Sequence, residues 1–283
     1  MVIQKQKNIA LKGKYGRPIV TDVYYSEEKT KKPILIFCHG YKGFKDWGTW
    51  DLMAEAFAKK DFFFVKFNFS FNGGTLEQPI DFPDLEAFGE NNFIKELDDL
   101  DVILDWICGF DFPFSHYVDP SNIFLMGHSR GGGTSIIKAA EDIRVKKLVT
   151  LAAVSDFAAR FPKGAELEAW KESGIGYIEN KRTGQKMPHL YKFYLNFKEN
   201  EERLTISRAA KKLKLPFLIL HGSEDETVKV EEAQNLKSWA PHAKLIVFEG
   251  SNHVFEASHP WMEKELPETL KSIVEKITNF LKE

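Results

Sequence analysis

The stretch Gly127-His-Ser129-Arg-Gly131 is where the chain offers nucleophilic chemistry. An apolar run at residues 123–126 enters it, and a run able to form a helix, residues 134–141, leaves it. Strand, glycine turn and helix in that order make a nucleophile elbow, a tight and strained turn that lifts a serine hydroxyl above the sheet. Glycines two residues before and two after Ser129 let strand and helix pass closely. The hydroxyl then stands at a helix N-terminus, where free N–H groups favour a developing negative charge. A serine hydroxyl is a weak nucleophile at neutral pH. It needs a base, normally histidine, and a carboxylate that orients the ring and stabilises the imidazolium.

On such an elbow the nucleophile is followed along the chain by the acid and then the histidine, each in a loop at the C-terminal end of a strand. The apolar run 215–221 opens into His221-Gly-Ser-Glu224-Asp225-Glu226-Thr227-Val228. Asp225 is the preferred acid because it sits mid-loop, before the turn into a helix near Lys229; Glu224 and Glu226 are the alternatives. A strand at 243–248 opens into Glu249-Gly250-Ser-Asn252-His253, and His253 is the expected base. His259 competes, but its His-Pro setting reads as a cap before the last helix. Acyl transfer also needs an oxyanion hole. One donor is the backbone N–H of Arg130, and the other the N–H of Tyr41 in His39-Gly40-Tyr41, with Gly40 admitting a close backbone approach.

The elements that must position these groups alternate. Residues 3–11 and 19–25 read as an antiparallel pair, and 33–38 and 62–67 as buried strands. Helical spacing runs over 47–60 and over 93–107, where Phe93, Leu97, Leu100, Leu104 and Ile107 form one stripe. Residues 68–91 read as a long irregular loop. Residues 146–153 form another strand, and a closing helix spans 262–281. Strands alternating with helices predict an α/β fold with a mainly parallel central sheet flanked by helices. The alternation breaks between 155 and 214, with helices at 165–172 and 188–197 around a hairpin at 175–187. We read this as an inserted cap, with residues 1–154 and 215–283 as the core.

Composition narrows the function classes. The 283 residues suit one large domain with an insertion, and 43% hydrophobic content supplies a core. A net charge of −2 provides no field to recruit nucleic acid or an anionic membrane. The two cysteines, Cys38 and Cys108, make no disulfide framework or metal motif and read as small buried residues. The first residues lack the apolar core of a secretory leader, and no apolar run reaches membrane-spanning length, so a cytoplasmic location is expected.

Gly127-His-Ser129-Arg-Gly131, His39-Gly-Tyr41, His221-Gly-x-x-Asp225-x-x-Val228 and Asn252-His253 together resemble the serine α/β-hydrolase superfamily, from about Pro33 to the end. Within it the chain is similar to the dienelactone hydrolase and prolyl-oligopeptidase-like branch, and there to bacterial cinnamoyl and feruloyl esterases. The resemblance implies an α/β-hydrolase fold with Ser129 as nucleophile, His253 as base, Asp225 as orienter, and Tyr41 and Arg130 as oxyanion donors. Dienelactone hydrolases proper carry cysteine, and haloalkane dehalogenases aspartate, at the position of Ser129, which argues against both activities.

The resulting expectation is a serine carboxylic ester hydrolase acting through an acyl-enzyme on a small or aromatic ester, without metal or cofactor. A peptidase or acyl-peptide hydrolase and an acyl-thioesterase are the enzymatic alternatives. A non-catalytic ligand-binding protein of the same fold is the alternative from another class. The cap and the long loop are rich in aromatic residues, and Phe71, Phe161, Trp170 and Tyr177 are expected at the substrate, although such rings also serve to pack a cap on its body. Arg160, Lys181 and Arg182 are the cap cations available to an anionic substrate.

Overall fold

The computed structural model describes residues 2–28 and 30–283. Eight strands form the central sheet: β1 (Ile3–Lys12), β2 (Pro18–Ser26), β3 (Lys32–Cys38), β4 (Phe63–Phe67), β5 (Val118–His128), β6 (Val145–Leu151), β9 (Phe217–Gly222) and β10 (Lys244–Phe248). Their order is β1-β2-β4-β3-β5-β6-β9-β10. Pairing is parallel from β4 across to β10, while β1 and β2 are antiparallel to each other and β2 is antiparallel to β4. The apolar runs explain this. In β3, Ile34, Ile36 and Cys38 face one core, and Leu35 and Phe37 face the other. A strand buried on both faces needs a helical layer on each side.

Those layers are present. Helices α3 (Phe93–Cys108), α4 (Arg130–Glu141), α8 (Ile206–Lys212) and α9 (Val230–Trp239) bury their apolar faces on one side. On the other lie α1 (Trp50–Ala58) and α10 (Glu268–Lys282). Among the described residues no helix is long and apolar enough to cross a membrane.

Between β6 and β9 run α5 (Ala165–Ser173), the hairpin β7 (Ile175–Asn180) and β8 (Gln185–Leu190), α6 (Lys192–Glu199), α7 (Glu201–Leu204) and α8. The hairpin is a separate two-stranded sheet. The last helix of this segment packs on the body, against α4 and α9.

Four expectations need adjustment. The helix read at 188–197 begins only at Lys192. Pro188 instead pairs with Tyr177 in β8, an edge position that needs no N–H from it. The closing helix starts at Glu268 rather than 262, because Pro267 steers the residue before it out of helical geometry. The loop at 68–91 contains a short helix, α2 (Leu85–Gly89), capped by the Asp84 carboxylate accepting from Ala87 N–H. Cys38 is buried, but Cys108 is exposed at the last position of α3, off the stripe that ends at Ile107.

Candidate active site

Ser129 stands alone between the end of β5 and the start of α4, with φ 55° and ψ −121°. A non-glycine residue at positive φ is strained, so its surroundings must hold it there. Ser129 N–H donates to Leu151 O at 2.9 Å, and Ser129 O accepts from Gly132 N at 3.0 Å and Val154 N at 3.2 Å. The turn closes so tightly that a Cβ on Gly127 would lie 2.3 Å from Gly131 O. The residue is only 8% exposed.

Asp225 lies in the loop after β9 and is 2% exposed, whereas Glu224 and Glu226 point to solvent. Its Oδ1 accepts from Thr227 N at 2.9 Å and Val228 N at 2.8 Å, and its Oδ2 lies 2.7 Å from His253 Nδ1. Burial raises the carboxyl pKa, but hydrogen bonds from His221, His253 and Val228 outweigh it and hold the group well below the usual carboxylate range. Asp225 is therefore an anion that can only accept, so His253 Nδ1 carries a proton and Nε2 is left free to take one.

Two more histidines support this pair. His221 Nε2 is 2.7 Å from Val228 O, which can only accept, and so donates. His128, beside Ser129, makes a 2.9 Å bond through Nε2 to His253 O, and the two rings lie 4.8 Å apart. Burial and the neighbouring His253 push His128 down to about 3, so it stays neutral. Among the described residues no hydrogen bond joins Ser129 Oγ to His253; such bonds often close only around a substrate. His259 is outside this network: its Nδ1 accepts from Gly48 N–H at 2.8 Å.

The segment after β3 runs beside the elbow. A Cβ on Gly40 would lie 2.9 Å from Ser129 Cβ, so only glycine allows this approach. Tyr41 N–H donates to no backbone acceptor among the described residues. Arg130 N–H is the first amide of α4 and has no intrahelical acceptor. His39 steadies the segment from below, with Nδ1 2.9 Å from Gly40 O.

A small hollow of about 20 Å³ adjoins these amides. Its walls are the segment after β3 from His39 to Gly43, the long-loop residues Phe69, Asn72, Phe88 and Asn91, Glu96 and Arg130, and His189 and Phe193 from the segment between β6 and β9. The Tyr41 hydroxyl and His189 Nε2 are hydrogen-bonded at 2.6 Å, which ties β8 to the segment after β3. Burial together with Arg130 and Lys42 pushes His189 down to about 4, and burial pushes the Tyr41 phenol up to about 12, so both are neutral.

None of the four aromatic residues expected at the substrate lines this hollow. Phe71 is covered by the Lys95 ammonium, 3.7 Å from its ring centre. Phe161 is buried among Phe193, Tyr194 and Phe197. Trp170 packs against Phe161 and donates through Nε1 to His189 O at 2.8 Å. Tyr177, in β7, is 60% exposed. Two of the three cations expected to be available to an anionic substrate are engaged: Arg160 pairs with Glu232 and Arg182 with Asp81. Sequence reasoning missed Asn91, Glu96, His189 and the side chain of Arg130. Glu96 had a readable trace, since it falls on the apolar stripe of α3 beside Phe93 and Leu97 and is 3% exposed.

Among the described residues the one carboxylate or imidazole cluster dense enough to suggest a metal is Asp22, Asp46 and Asp51. Lysines already fill it. Lys66 Nζ lies 2.8 Å from Asp22, 2.6 Å from Asp46 and 2.6 Å from Asp51, and Lys45 Nζ lies 2.6 Å from Asp46. The network joins β2, β4 and α1 and is read as structural.

Among solved structures the fold is similar to Est1E from Butyrivibrio proteoclasticus, at 17% identity and a TM-score of 0.69 over 98% of each chain. It is similar to DcsB, whose structure holds a substrate analogue, at 18% identity and a TM-score of 0.73 over 99% of each chain. A puromycin-hydrolyzing peptidase of Mycobacterium tuberculosis matches at 18% identity and a TM-score of 0.62, over 99% of this chain and 38% of the other. Likeness at these identities establishes the fold. A comparison with curated protein sequences found no match. A family model matches residues 35–263, from β3 through both histidine-bearing loops to the approach to α10, and by that match the chain belongs to the alpha/beta hydrolase family.

Proposed function

We propose that the protein is a serine carboxylic ester hydrolase. The observation that carries this reading is the 2.7 Å bond between His253 Nδ1 and a buried, anionic Asp225, in the same fold edge as a strained Ser129. In this reading Ser129 Oγ attacks the ester carbonyl as His253 Nε2 takes its proton. The Tyr41 and Arg130 amides hold the oxyanion. The protonated His253 then returns its proton to the departing alkoxide, which leaves an acyl-enzyme. Water attacks the acyl-enzyme with His253 as base, and the acid is released. Asp225 keeps Nδ1 protonated throughout and stabilises the imidazolium.

The segment between β6 and β9 acts as a cap. Tyr41, Phe69, Phe88 and Phe193 give the hollow an aromatic wall, and the similar Est1E has been seen with ferulic acid bound, which supports a small or aromatic ester. The likeness to a puromycin-hydrolyzing peptidase supports amide cleavage as a second reading.

A fluorophosphonate probe should label the wild type and not Ser129→Ala, and both Ser129→Ala and His253→Ala should lose nearly all turnover. Equal labelling of Ser129→Ala would defeat the reading. Values of kcat/KM for p-nitrophenyl, cinnamoyl and acyl-CoA esters and for aminoacyl amides then separate ester, thioester and amide specificity.

A further inference from the structure

Helix α3 turns Phe93, Leu97, Leu100 and Leu104 toward the core. Glu96 stands on the same face, between Phe93 and Leu100, and is buried with them. A buried carboxylate and a buried guanidinium each lose hydration that their attraction only partly offsets, and apolar side chains of similar size often serve a core as well or better. Packing alone therefore does not account for an ion pair here.

The pair is closely held. Arg130 Nη2 lies 2.9 Å from Glu96 Oε1, and Arg130 Nε donates to Glu96 Oε2 at 3.3 Å. Asn91 Nδ2 donates to Oε1 at 2.9 Å, and Thr134 Oγ1, one turn along α4, can donate to Oε2 or to Arg130 O, each at 3.2 Å. One carboxylate thus ties α3 to the first turn of α4 and to the end of the long loop. The guanidinium it holds faces three rings. Its carbon lies 4.3 Å from the ring centre of Phe93, 5.1 Å from that of Phe193 in α6, and 5.8 Å from that of Tyr41. These are cation–π distances. Arg130 and Tyr41 are the two residues whose N–H groups hold the oxyanion in the reading above, and here they also meet through their side chains. Such donors act only when held at hydrogen-bond distance from the place where charge develops, and loss of one costs about 10²–10³ in kcat.

We infer that Glu96 is a positioning residue for this reaction: by holding the Arg130 guanidinium against Tyr41, it sets the spacing of the two amides that receive the oxyanion. The inference rests on the hydrolase reading above and adds a residue outside the triad on which its chemical step depends.

The test compares wild type, Glu96→Gln, Glu96→Leu and the double variant Glu96→Leu with Arg130→Met in p-nitrophenyl ester hydrolysis, with urea unfolding to show that each is folded. Leucine suits the apolar face of α3, methionine keeps an unbranched side chain without the charge, and every variant keeps the amide of residue 130. In Glu96→Leu kcat should fall about 10²-fold while KM stays within about threefold, because the lost geometry matters only once charge develops on the carbonyl oxygen. Glu96→Gln keeps one oxygen for Arg130, and its kcat should fall only about five- to twentyfold. Fluorophosphonate labelling, which places charge on an oxygen in the same hole, should slow in the same order. The double variant separates positioning from charge neutralisation: it contains no unpaired charge, yet its kcat should stay at least about tenfold below wild type. A double variant within about threefold of wild type would mean that Glu96 only neutralises Arg130, and would overturn the inference. So would a folded Glu96→Leu or Glu96→Gln within about twofold of wild-type kcat, or a loss confined to KM. If neither leucine variant folds, Glu96→Gln decides. All of these outcomes leave the hydrolase reading intact. A wild type that neither hydrolyses an ester nor reacts with the probe defeats that reading and this inference with it.

Discussion

Replacing Asp225 by asparagine tests the centre of the mechanism with a change of one atom type. Oδ1 faces two backbone donors, Thr227 N at 2.9 Å and Val228 N at 2.8 Å, and Oδ2 faces His253 Nδ1 at 2.7 Å. An asparagine that keeps its carbonyl toward the two N–H groups turns its NH₂ toward His253. Nδ1 must then accept, the ring proton moves to Nε2, and the histidine can no longer take the proton of Ser129. The flipped asparagine restores the productive ring but sets NH₂ against two buried donors. Each donor left unpaired costs about 1–3 kcal/mol, so the flip costs about 2–6 kcal/mol. At about 1.4 kcal/mol per decade the productive population falls by about 30-fold to 10⁴-fold. Loss of the charge that stabilises the imidazolium adds to this, and the expected fall in kcat/KM is about 10³–10⁴-fold. The assay is p-nitrophenyl ester hydrolysis at neutral pH, with urea unfolding to show that the variant is folded. Glu224→Gln and Glu226→Gln, both at exposed positions, should stay within about twofold of wild type. A folded Asp225→Asn that retains a tenth of the wild-type kcat/KM would refute this account of the acid.

Three further outcomes follow from the geometry. Gly40→Ala places a Cβ 2.9 Å from Ser129 Cβ and must push the oxyanion segment away, so kcat should fall about 10²–10³-fold in stopped-assay kinetics while probe labelling slows in parallel. Burial raises the Asp99 carboxyl to about 7, against hydrogen bonds from Ser70 that favour the anion. A folded-state value above the unfolded one means that its stabilising contribution is complete below about 3.9 and lost as pH rises through about 7. Asp99→Asn should therefore gain stability relative to wild type between pH 5 and pH 8, by about 3 kcal/mol in urea titrations, and an equal difference at both pH values would contradict the assignment. Phe57→Ala, at a fully buried position of α1 packed on Phe62 and Phe64, should cost about 3–5 kcal/mol of unfolding free energy. It should leave kcat/KM of the folded enzyme near wild type.

What could be read from the sequence divides along physical lines. Backbone-determined features were legible because residue type reports them directly. Gly127, Gly131 and Gly40 mark close approaches, the apolar runs of β3 and β9 mark strands buried on both faces, and Asp225 and His253 sit in loops at strand ends. The hollow was not legible, because its walls come from five separated segments that only the folded chain brings together. The surroundings of the aromatic residues between β6 and β9 were not legible for the same reason. Phe161 and Trp170 pack against each other while Tyr177 is 60% exposed, a difference in burial that residue type does not report. Glu96 lies between these cases: a charge on an apolar helical stripe was visible, but its partners Asn91 and Arg130 were not.

The sheet order sets a problem that the loops solve. β6 stands between β5, which carries Ser129, and β9, which carries Asp225, and β10 lies farther out still. The loop after β10 must therefore return across the end of β9 to bring His253 back toward Ser129. Gly222, the last residue of β9, makes the crossing possible: a Cβ there would lie 2.2 Å from Ser251 O and 2.9 Å from Asn252 O. Two bonds then fix where the crossing ends. Asp225 Oδ2 holds the His253 ring, and His128 Nε2, from the residue before Ser129, holds the His253 carbonyl at 2.9 Å. Burial keeps His128 neutral, so this tether does not depend on a charge on the His128 ring. The variable residue of Gly127-His128-Ser129 is thus part of the geometry: it binds the backbone of the histidine to the elbow while leaving the ring free to act.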